Sequence, residues 1–398
     1  MVENPPYATA VIAPAGSTLA VIGGIEGAGA DTATAARAAL DALAQRLAEV
    51  GLDKQSVLRV RAALAPADAE DFAGWNAAWM EFFDAGHRPA RVTVGASAVP
   101  GTARIVLDVV AGFPVGADAP VVEGARPTAN ANIAVAGPES NPTAIVNTGS
   151  GLYLSAGVLP ARDALADPES MEQHIAGAIE TLGTGLTNHD LQWSDTFFVR
   201  VLTTPQPERP VVDFAGWDPV LASLREESKG FPGAWTMWAS PGFSAGGRYV
   251  EIEVWAAPSR PHDAFREGGE AADALLRMTA NAPTAMISSG ALVAPDADLI
   301  FLSGVIAPEG TAVEEEGPAV LAVMKERLAS VGASMADVAE LRVYRVEGES
   351  TFNAAYGDYF NNAEVNPHRP VRTNYLVHSL PQGRLVEIEA IVVRRSDS

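Results

Sequence analysis

Hydrophobic and polar positions follow the same order in three stretches of the chain. The first stretch opens with the β-like segment YATAVIAPAGSTLAVIGG and continues with TATAARAALDALAQRLAEVGL, whose apolar positions include Ala36, Leu40, Leu43 and Leu47. This spacing puts the apolar residues on one face of a helix. The alternating segment SVLRVRAAL then predicts a strand, DFAGWNAAWMEFFDAG predicts a second helix, and the stretch that starts at His87 predicts a terminal hairpin.

The third stretch repeats this order, and the middle stretch does so with more changes. In the third, DLIFLSGVIAP, EEGPAVLAVMKERLASVGA, ADVAELRVYRV and STFNAAYGDYFNN precede a closing HRPVRTNYLV, which parallels HRPARVTVGA in the first. In the middle, GLYLSAGVLP, MEQHIAGAIETLGTGL, WSDTFFVRVL, DFAGWDPVLASLREESKG and GRYVEIEVWAA keep the sequence of elements. We therefore predict an α+β fold of three tandem ββαβαββ domains, at residues 1–115, 130–258 and 282–398.

The segments between the repeats and the apolar character of the strands add to the predicted fold. Residues 111–132 are rich in glycine, proline and alanine and predict a linker, whereas residues 257–283 contain REGGEAADALLRM, which predicts a short helix. Segments such as VEIEAIVV are too apolar to be covered on one face only. We expect two helices on one face of each sheet and the other two sheets against its second face, around a pseudo-threefold axis.

The amino-acid composition limits the kinds of molecule that the protein is expected to bind. The 398 residues carry a formal net charge of −22, and a surface this acidic repels phosphate backbones and anionic lipids. We therefore expect no nucleic-acid partner and no membrane partner, while a small anionic molecule stays compatible with a local arginine. The chain has no cysteine, which excludes disulfides, thiolate metal sites and cysteine nucleophiles. With no signal peptide and no long apolar run evident, we expect a soluble, cytoplasmic protein.

The third repeat holds the residues with the clearest chemical potential. Arg372 follows Pro370 at the start of a strand, and its guanidinium can hold a carboxylate through two parallel hydrogen bonds. Glu387 lies beyond the turn LPQG, and a hairpin would bring it close to Arg372. From the residues alone, a surface or interdomain ion pair for Arg372 and a solvated position for Glu387 stay open as alternatives.

These motifs resemble the RidA (YjgF/YER057c/UK114) family of reactive-intermediate deaminases. The resemblance spans the chain three times and is strongest in the third repeat, where its carriers are Ser303-Gly304, Gly332-Ala333-Ser334, Asn353, Arg372 and Glu387. Members are usually homotrimers of a chorismate-mutase-like domain, with a ligand cleft at each subunit boundary. The resemblance implies that one chain here forms an intramolecular pseudo-trimer. We expect a monomer, with a higher oligomer as the open alternative.

The resemblance also implies roles for these residues. Arg372 would anchor a substrate carboxylate, and Glu387 would orient or activate a water molecule. Asn353, Ser303 and Gly304 would line the cleft, together with Asn374, which stands where several relatives have cysteine. The implied reaction is hydrolysis of a 2-imino or 2-enamino acid to a 2-keto acid and ammonia, with no metal and no organic cofactor.

The three repeats retain these residues unequally. The first has the substrate-binding candidates Arg91 and Asn76 but has Val106 at the position of Glu387. The second has Glu251 and Glu253 but lacks the arginine, and the aligned stretch GFPGAWTMW offers Ala234 and Trp235 in its place. We therefore expect one complete site, formed by Arg372 and Glu387.

Two other functions are compatible with the sequence. Cyanuric acid hydrolases and barbiturases also join three such domains and use repeated serine–lysine pairs. The lysines here, Lys54, Lys229 and Lys325, do not fall at equivalent positions of the repeats, which disfavours that amide or ring hydrolase type. The second alternative is a non-catalytic protein that binds a small carboxylate or acts as a scaffold.

Overall fold

A computed structural model describes most of the three repeats. The described residues are 10–13, 19–49, 51–84, 88–112, 131–133, 143–147, 152–160, 171–189, 191–205, 212, 214, 234–243, 248–257, 275–279, 288–293, 298–347, 351–360 and 370–394. Outside them lie His87, His368, Lys229 and nearly all of the second helix predicted for the middle repeat.

The order of elements confirms the predicted α+β repeats. The first repeat contains β1 (Ala10–Ala13), β2 (Leu19–Gly27), α1 (Thr32–Glu49), β3 (Val57–Leu64), α2 (Ala69–Phe82), β4 (Ala90–Gly95) and β5 (Ile105–Gly112). The second contains β6 (Ala131–Ile133), β7 (Thr143–Asn147), β8 (Leu152–Ser155), α3 (Met171–Thr187), β9 (Thr196–Thr203), β10 (Ala234–Ala239) and β11 (Val250–Ala256). The third contains β12 (Leu275–Thr279), β13 (Ser288–Val293), β14 (Asp298–Ile306), α4 (Glu316–Ser330), β15 (Val338–Arg345), α5 (Phe352–Phe360), β16 (Val371–Leu376) and β17 (Val386–Arg394).

Helix α1 shows how local sequence sets the element bounds. The carboxylate of Asp31 accepts a hydrogen bond of 2.7 Å from the backbone N–H of Thr34, which caps the start of the helix. Gly51, just beyond the end, has a φ of +76°, a conformation that glycine adopts without strain. Leu40 and Leu43 are buried against the sheet. The described helices include none that is long and apolar enough to cross a membrane.

Four strands form the same mixed sheet in each repeat. Their orders are β4-β3-β5-β2, β10-β9-β11-β8 and β16-β15-β17-β14. Strand β15 lies between β16 and β17, parallel to the first and antiparallel to the second. The hairpin predicted for the end of each repeat is therefore wrong, because the chain crosses over a third strand between the two.

One strand near the start of each repeat pairs with the sheet of the following repeat. Strand β1 is antiparallel to β8, β7 to β14, and β13 to β2. Strand β12 pairs with β13, so the described end of the segment predicted as a short helix is a strand instead. The three exchanges close a ring, and backbone hydrogen bonds as well as side chains therefore join the repeats.

The inward faces of the three sheets meet in two apolar layers with a charged layer between them. Along β5 the inward residues run Val110, Asp108 and Val106, an order of apolar, charged and apolar positions. Among the residues that the structure describes, the buried members of the charged layer are Arg59, Arg61, Arg200, Arg342, Asp108, Glu253, Glu340 and Glu389. The outward face of each sheet packs on the described helix or helices of its own repeat, in one apolar cluster per repeat.

The charged layer links all three repeats through ion pairs. Arg200 of the second repeat pairs with Glu253 and with Glu389 of the third. Arg342 of the third repeat pairs with Glu389 at 2.9 Å and with Asp108 of the first at 3.3 Å. Burial alone would raise the pKa of Glu389, but Arg200 and Arg342 lower it far below its usual range. Glu389 is therefore an ionised partner within the layer.

Candidate functional site

Arg372 and Glu387 lie on opposite faces of the third sheet. Arg372 is in register with Leu341 of β15, and Glu387 is in register with Tyr344. Positions three apart on a strand point to opposite faces, and Leu341 packs beneath the helices whereas Tyr344 packs at the axis. The structure does not bring these two predicted residues together, because strand β15 lies between their strands and their side chains point to opposite faces of the sheet.

Each boundary between repeats joins the edge strand of one repeat to the sheet of another. At the first boundary, between repeats 1 and 2, Gly157 donates a 3.1 Å hydrogen bond to the carbonyl oxygen of Arg91. At the second, between repeats 2 and 3, the N–H of Trp235 donates to Ser303 Oγ at 2.9 Å. At the third, between repeats 3 and 1, the N–H of Gly24 donates to Thr373 Oγ1 at 2.9 Å.

The first boundary brings together an arginine and a glutamate from different repeats. Glu251 of β11 is 3 % exposed, and its carboxyl group lies beside Gly157, where a Cβ would collide with its Oε1. Gly157 in turn holds the backbone of Arg91. Gly157 therefore contacts both the carboxyl group of Glu251 and the strand that carries Arg91. Only glycine leaves room for the carboxyl group at this position.

Burial makes the Glu251 carboxyl group an acid at neutral pH. It raises the pKa of Glu251 to about 8, against the opposing effect of the positive charges of Arg61 and Arg91. Its Oε1 is buried, and no hydrogen-bond partner for it occurs within the part of the chain that the structure describes. A neutral carboxyl group with an unused oxygen can donate a proton to a bound molecule and take one back.

Two tryptophans of α2 hold Arg91 at the edge of the first sheet. Its guanidinium carbon lies 5.1 Å from the ring centre of Trp79 and 5.9 Å from that of Trp75, distances typical of cation–π contacts. Trp75 is itself fixed by a 3.0 Å hydrogen bond from its Nε1 to Thr93. Asn76, predicted to bind substrate, has a buried Oδ1 that accepts no hydrogen bond from the described residues.

The second boundary contains three of the predicted site residues. Glu387 is 2 % exposed and lies beside Gly304 as Glu251 does beside Gly157. Burial and the negative charge of Glu389 raise the pKa of Glu387 well above its ordinary value, although the N–H of Met237 and the charge of Arg327 oppose this. Ser303 accepts the hydrogen bond from Trp235 that joins the two repeats.

The third boundary contains the other predicted residues of the third repeat. Arg372 donates a short hydrogen bond to Asn353 Oδ1, and its guanidinium carbon lies 4.5 Å from the ring centre of Tyr356. Asn374 accepts a 3.0 Å hydrogen bond from Arg345. The first repeat, on the other side of this boundary, has Val106 at the glutamate position, so Arg372 faces a repeat that lacks that acid.

Metal ligands are not clustered in the described parts of these boundaries. Across the residues that the structure describes, no group of three or more histidine, aspartate or glutamate side chains is placed to hold a metal ion.

The fold and these boundaries define a single-chain pseudo-trimer of α+β repeats with polar contacts between repeats. The profile of the family described as Endoribonuclease L-PSP matches residues 4–112 and 279–394, together more than half of the chain. The chain therefore belongs to this family, which is the RidA/YjgF family that its motifs resemble.

Solved structures similar to this chain each cover about one repeat. A Thermotoga maritima protein is 32% identical over 24% of this chain and 79% of its own, with a TM-score of 0.22. The E. coli YjgF gene product is 27% identical over 24% of this chain and 81% of its own, with a TM-score of 0.22. E. coli TdcF, in a structure with bound serine, is 26% identical over 24% and 81%, with a TM-score of 0.22. No curated protein matches the chain.

Proposed function

We propose that the chain hydrolyses 2-imino and 2-enamino acids to 2-keto acids and ammonia at the first boundary. The observation that carries this proposal is a buried glutamate, Glu251, whose pKa is about 8. The positive charge of Arg91, from the neighbouring repeat, acts to lower this pKa. The proposal keeps the reaction that the family resemblance implies and moves it from Arg372 and Glu387 to Arg91 and Glu251.

Arg91 binds the substrate carboxylate in this proposal. A guanidinium presents two parallel N–H donors that match the two oxygens of a carboxylate. The rings of Trp75 and Trp79 restrict its side chain before substrate arrives, so less conformational freedom is lost on binding. The substrate is thereby placed with its imine near Glu251.

Glu251 moves the protons of the reaction. Its neutral carboxyl group donates a proton to the imine nitrogen, or to C3 of the enamine, and both give an iminium ion. The resulting carboxylate takes a proton from water as the water oxygen bonds to C2. Glu251 then passes this proton to the nitrogen, and the C–N bond breaks. As the keto group forms, the Glu251 carboxylate takes the proton of the hydroxyl group. Glu251 is neutral again, and ammonia has left.

The test is release of ammonia and 2-keto acid from 2-imino acids that an amino acid oxidase generates in situ. We expect the wild-type protein to exceed the spontaneous rate. A rate equal to the spontaneous one, together with binding of a small carboxylate, would favour the non-catalytic alternative. RNA cleavage is not the activity that we propose, because a net charge of −22 opposes association with a phosphate backbone.

Activity should fall as the pH rises above about 8. Glu251 acts first as an acid, and with a pKa of about 8 it is protonated below that pH and ionised above it. We expect kcat/KM to be level near neutral pH and to decrease about tenfold per pH unit well above the pKa. The Glu251→Gln variant should not show this decrease. A wild-type rate that rises through the same range would contradict the acid role.

A further inference from the structure

A cluster of one arginine and three aromatic side chains lies at the pseudo-threefold axis, next to the charged layer. This axial cluster consists of Arg61 from the first repeat, Trp238 from the second, and Tyr344 and Tyr375 from the third. The centres of the three rings lie 5.1–5.6 Å apart. The guanidinium carbon of Arg61 lies 5.4 Å from the ring centre of Trp238 and 5.8 Å from that of Tyr344. All four residues are at most 2 % exposed, so the cluster is closed to bulk water.

Several N–H and O–H groups of the axial cluster are unused. Arg61 Nε, Arg61 Nη2, Trp238 Nε1 and Tyr375 Oη are buried, and none has a hydrogen-bond partner among the described residues. Arg61 Nη1 donates a 3.0 Å hydrogen bond to Tyr344 Oη, and a hydroxyl group that accepts one bond can still donate its own proton. Buried polar groups are nearly always paired, so this many unused groups within one cluster indicate a bound acceptor.

The neighbouring acids of the charged layer do not supply this acceptor. Glu253 Oε1 lies 3.9 Å from Arg61 Nη1, which is beyond hydrogen-bond distance, and it pairs with Arg200 instead. Asp108 is in register with Arg61 on the adjacent strand but pairs with Arg342 at 3.3 Å. Both acids are therefore bound by other arginines, and neither forms a close ion pair with Arg61.

The charge of this region favours an anion. Among its described residues, the charged layer has four arginines and four acids. Burial raises the pKa of Glu340 to about 7, against the opposing charge of Arg342, so this acid is partly neutral at neutral pH and the arginines are in excess. Burial also raises the pKa of Tyr375 to about 12 and that of Tyr344 well above its ordinary range. Both hydroxyl groups therefore keep their protons and can donate them.

We propose that the axial cluster binds one monovalent anion of about the size of chloride, held by the N–H groups of Arg61 and Trp238 and the hydroxyl groups of Tyr344 and Tyr375. An anion accepts hydrogen bonds and has no protons of its own, whereas a buried water molecule must also find acceptors for its two protons. The guanidinium makes the interaction charge-assisted, which strengthens it. The anion contacts all three repeats and stabilises their assembly, and it takes no part in the hydrolysis at the first boundary.

Equilibrium unfolding of the full chain in urea tests this site, with chloride replaced stepwise by gluconate at constant sodium concentration. An ion that binds only the folded chain stabilises it in proportion to the logarithm of its concentration, so the wild-type midpoint should rise with added chloride. For one ion, the folding equilibrium constant should increase about tenfold for each tenfold increase in chloride above its Kd.

Two matched variants connect this effect to Arg61. Arg61→Met keeps the apolar stem and removes the guanidinium, and we expect it to abolish the dependence on chloride. Arg37→Met makes the same change at an arginine of α1 whose side chain is 50% exposed, and it should keep the wild-type dependence. A wild-type midpoint that does not change with chloride would overturn the site, as would an Arg61→Met variant with the wild-type dependence.

A second variant covers the case in which Arg61→Met does not fold. Tyr375→Phe keeps the ring and removes one donor, so we expect it to need about fivefold more chloride for the same rise in midpoint. An unchanged chloride requirement would count against the proposal. In crystals grown in sodium bromide, an anomalous peak should lie within hydrogen-bond distance of Arg61 Nε, and a water molecule in that place would refute the anion. Failure of the hydrolytic proposal would leave these results unaltered, because none of them depends on turnover.

Discussion

Replacing Glu251 with glutamine should lower kcat/KM for 2-imino acid hydrolysis about 10²- to 10⁴-fold, the range that general acid–base catalysis supplies. Glutamine has the size of glutamate and fits the space that Gly157 leaves, but it cannot carry the proton between nitrogen and water. The measurement is ammonia release with the spontaneous rate subtracted. Circular dichroism should show the fold of the wild type, because a neutral carboxyl group and an amide differ little when buried.

An exposed glutamate gives the matched control for this prediction. Glu49, at the end of α1, is exposed and far in sequence from the boundary residues, so Glu49→Gln should keep the wild-type rate. If Glu251→Gln retained the rate of Glu49→Gln, the acid role assigned to Glu251 would be excluded.

Replacing Glu253 with alanine should lower the free energy of unfolding by about 3–5 kcal/mol, the usual effect of removing one partner from a buried ion pair. Glu253 is fully buried and pairs with Arg59 and Arg200, and it also lies 3.9 Å from Arg61. Its removal leaves these positive charges close together without water. Because the pairs join two repeats, we expect the unfolding midpoint in urea to fall and the repeats to separate more easily.

A surface ion pair is the control for this effect. Glu81 pairs with Arg37 at 2.8 Å, but their side chains are 64% and 50% exposed. Water screens such a pair, so Glu81→Ala should leave the unfolding midpoint nearly unchanged. Equal midpoints for Glu253→Ala and Glu81→Ala would mean that the charged layer does not stabilise the assembly.

The repeated elements were predictable because each depends on its own sequence. The apolar period of α1, with Asp31 before it and Gly51 after it, determines a helix without help from distant residues. The strand exchange was not predictable in this way. A strand such as β1 has the same alternation whether it pairs within its repeat or with the next, and only the closed arrangement of three sheets selects β8 as its partner.

The charged layer was missed for a related reason. Acids that alternate with apolar residues, as Glu387 and Glu389 do, usually face water, and this reading is reasonable for one isolated sheet. Here two other sheets bury the sheet face that carries these acids. The sequence signal for the charged layer was an arginine on the adjacent strand of every repeat, at Arg61, Arg200 and Arg342. These arginines lie in register with Asp108, Glu253 and Glu389, which identifies the layer only once the strand order is known.

The sequence contains a signal for the placement of Arg91 and Glu251 at one boundary. The first repeat retains the arginine and has lost the glutamate, whereas the second has lost the arginine and retains the glutamate. Such complementary losses are expected if the arginine of the first repeat and the glutamate of the second form one site at the boundary that they share. The sequence could not say which neighbour each repeat faces, because that depends on the direction in which the three repeats close their ring.

The most direct test compares the hydrolysis rates of the Arg91→Ala and Arg372→Ala variants on the same 2-imino acid. With Arg91 as the carboxylate ligand at the first boundary, Arg91→Ala should lose about 100-fold in kcat/KM, consistent with the loss of charge-assisted hydrogen bonds. Arg372→Ala should stay within about twofold of wild type by the same reasoning. Loss of activity in Arg372→Ala with full activity in Arg91→Ala would contradict a reaction site between repeats 1 and 2.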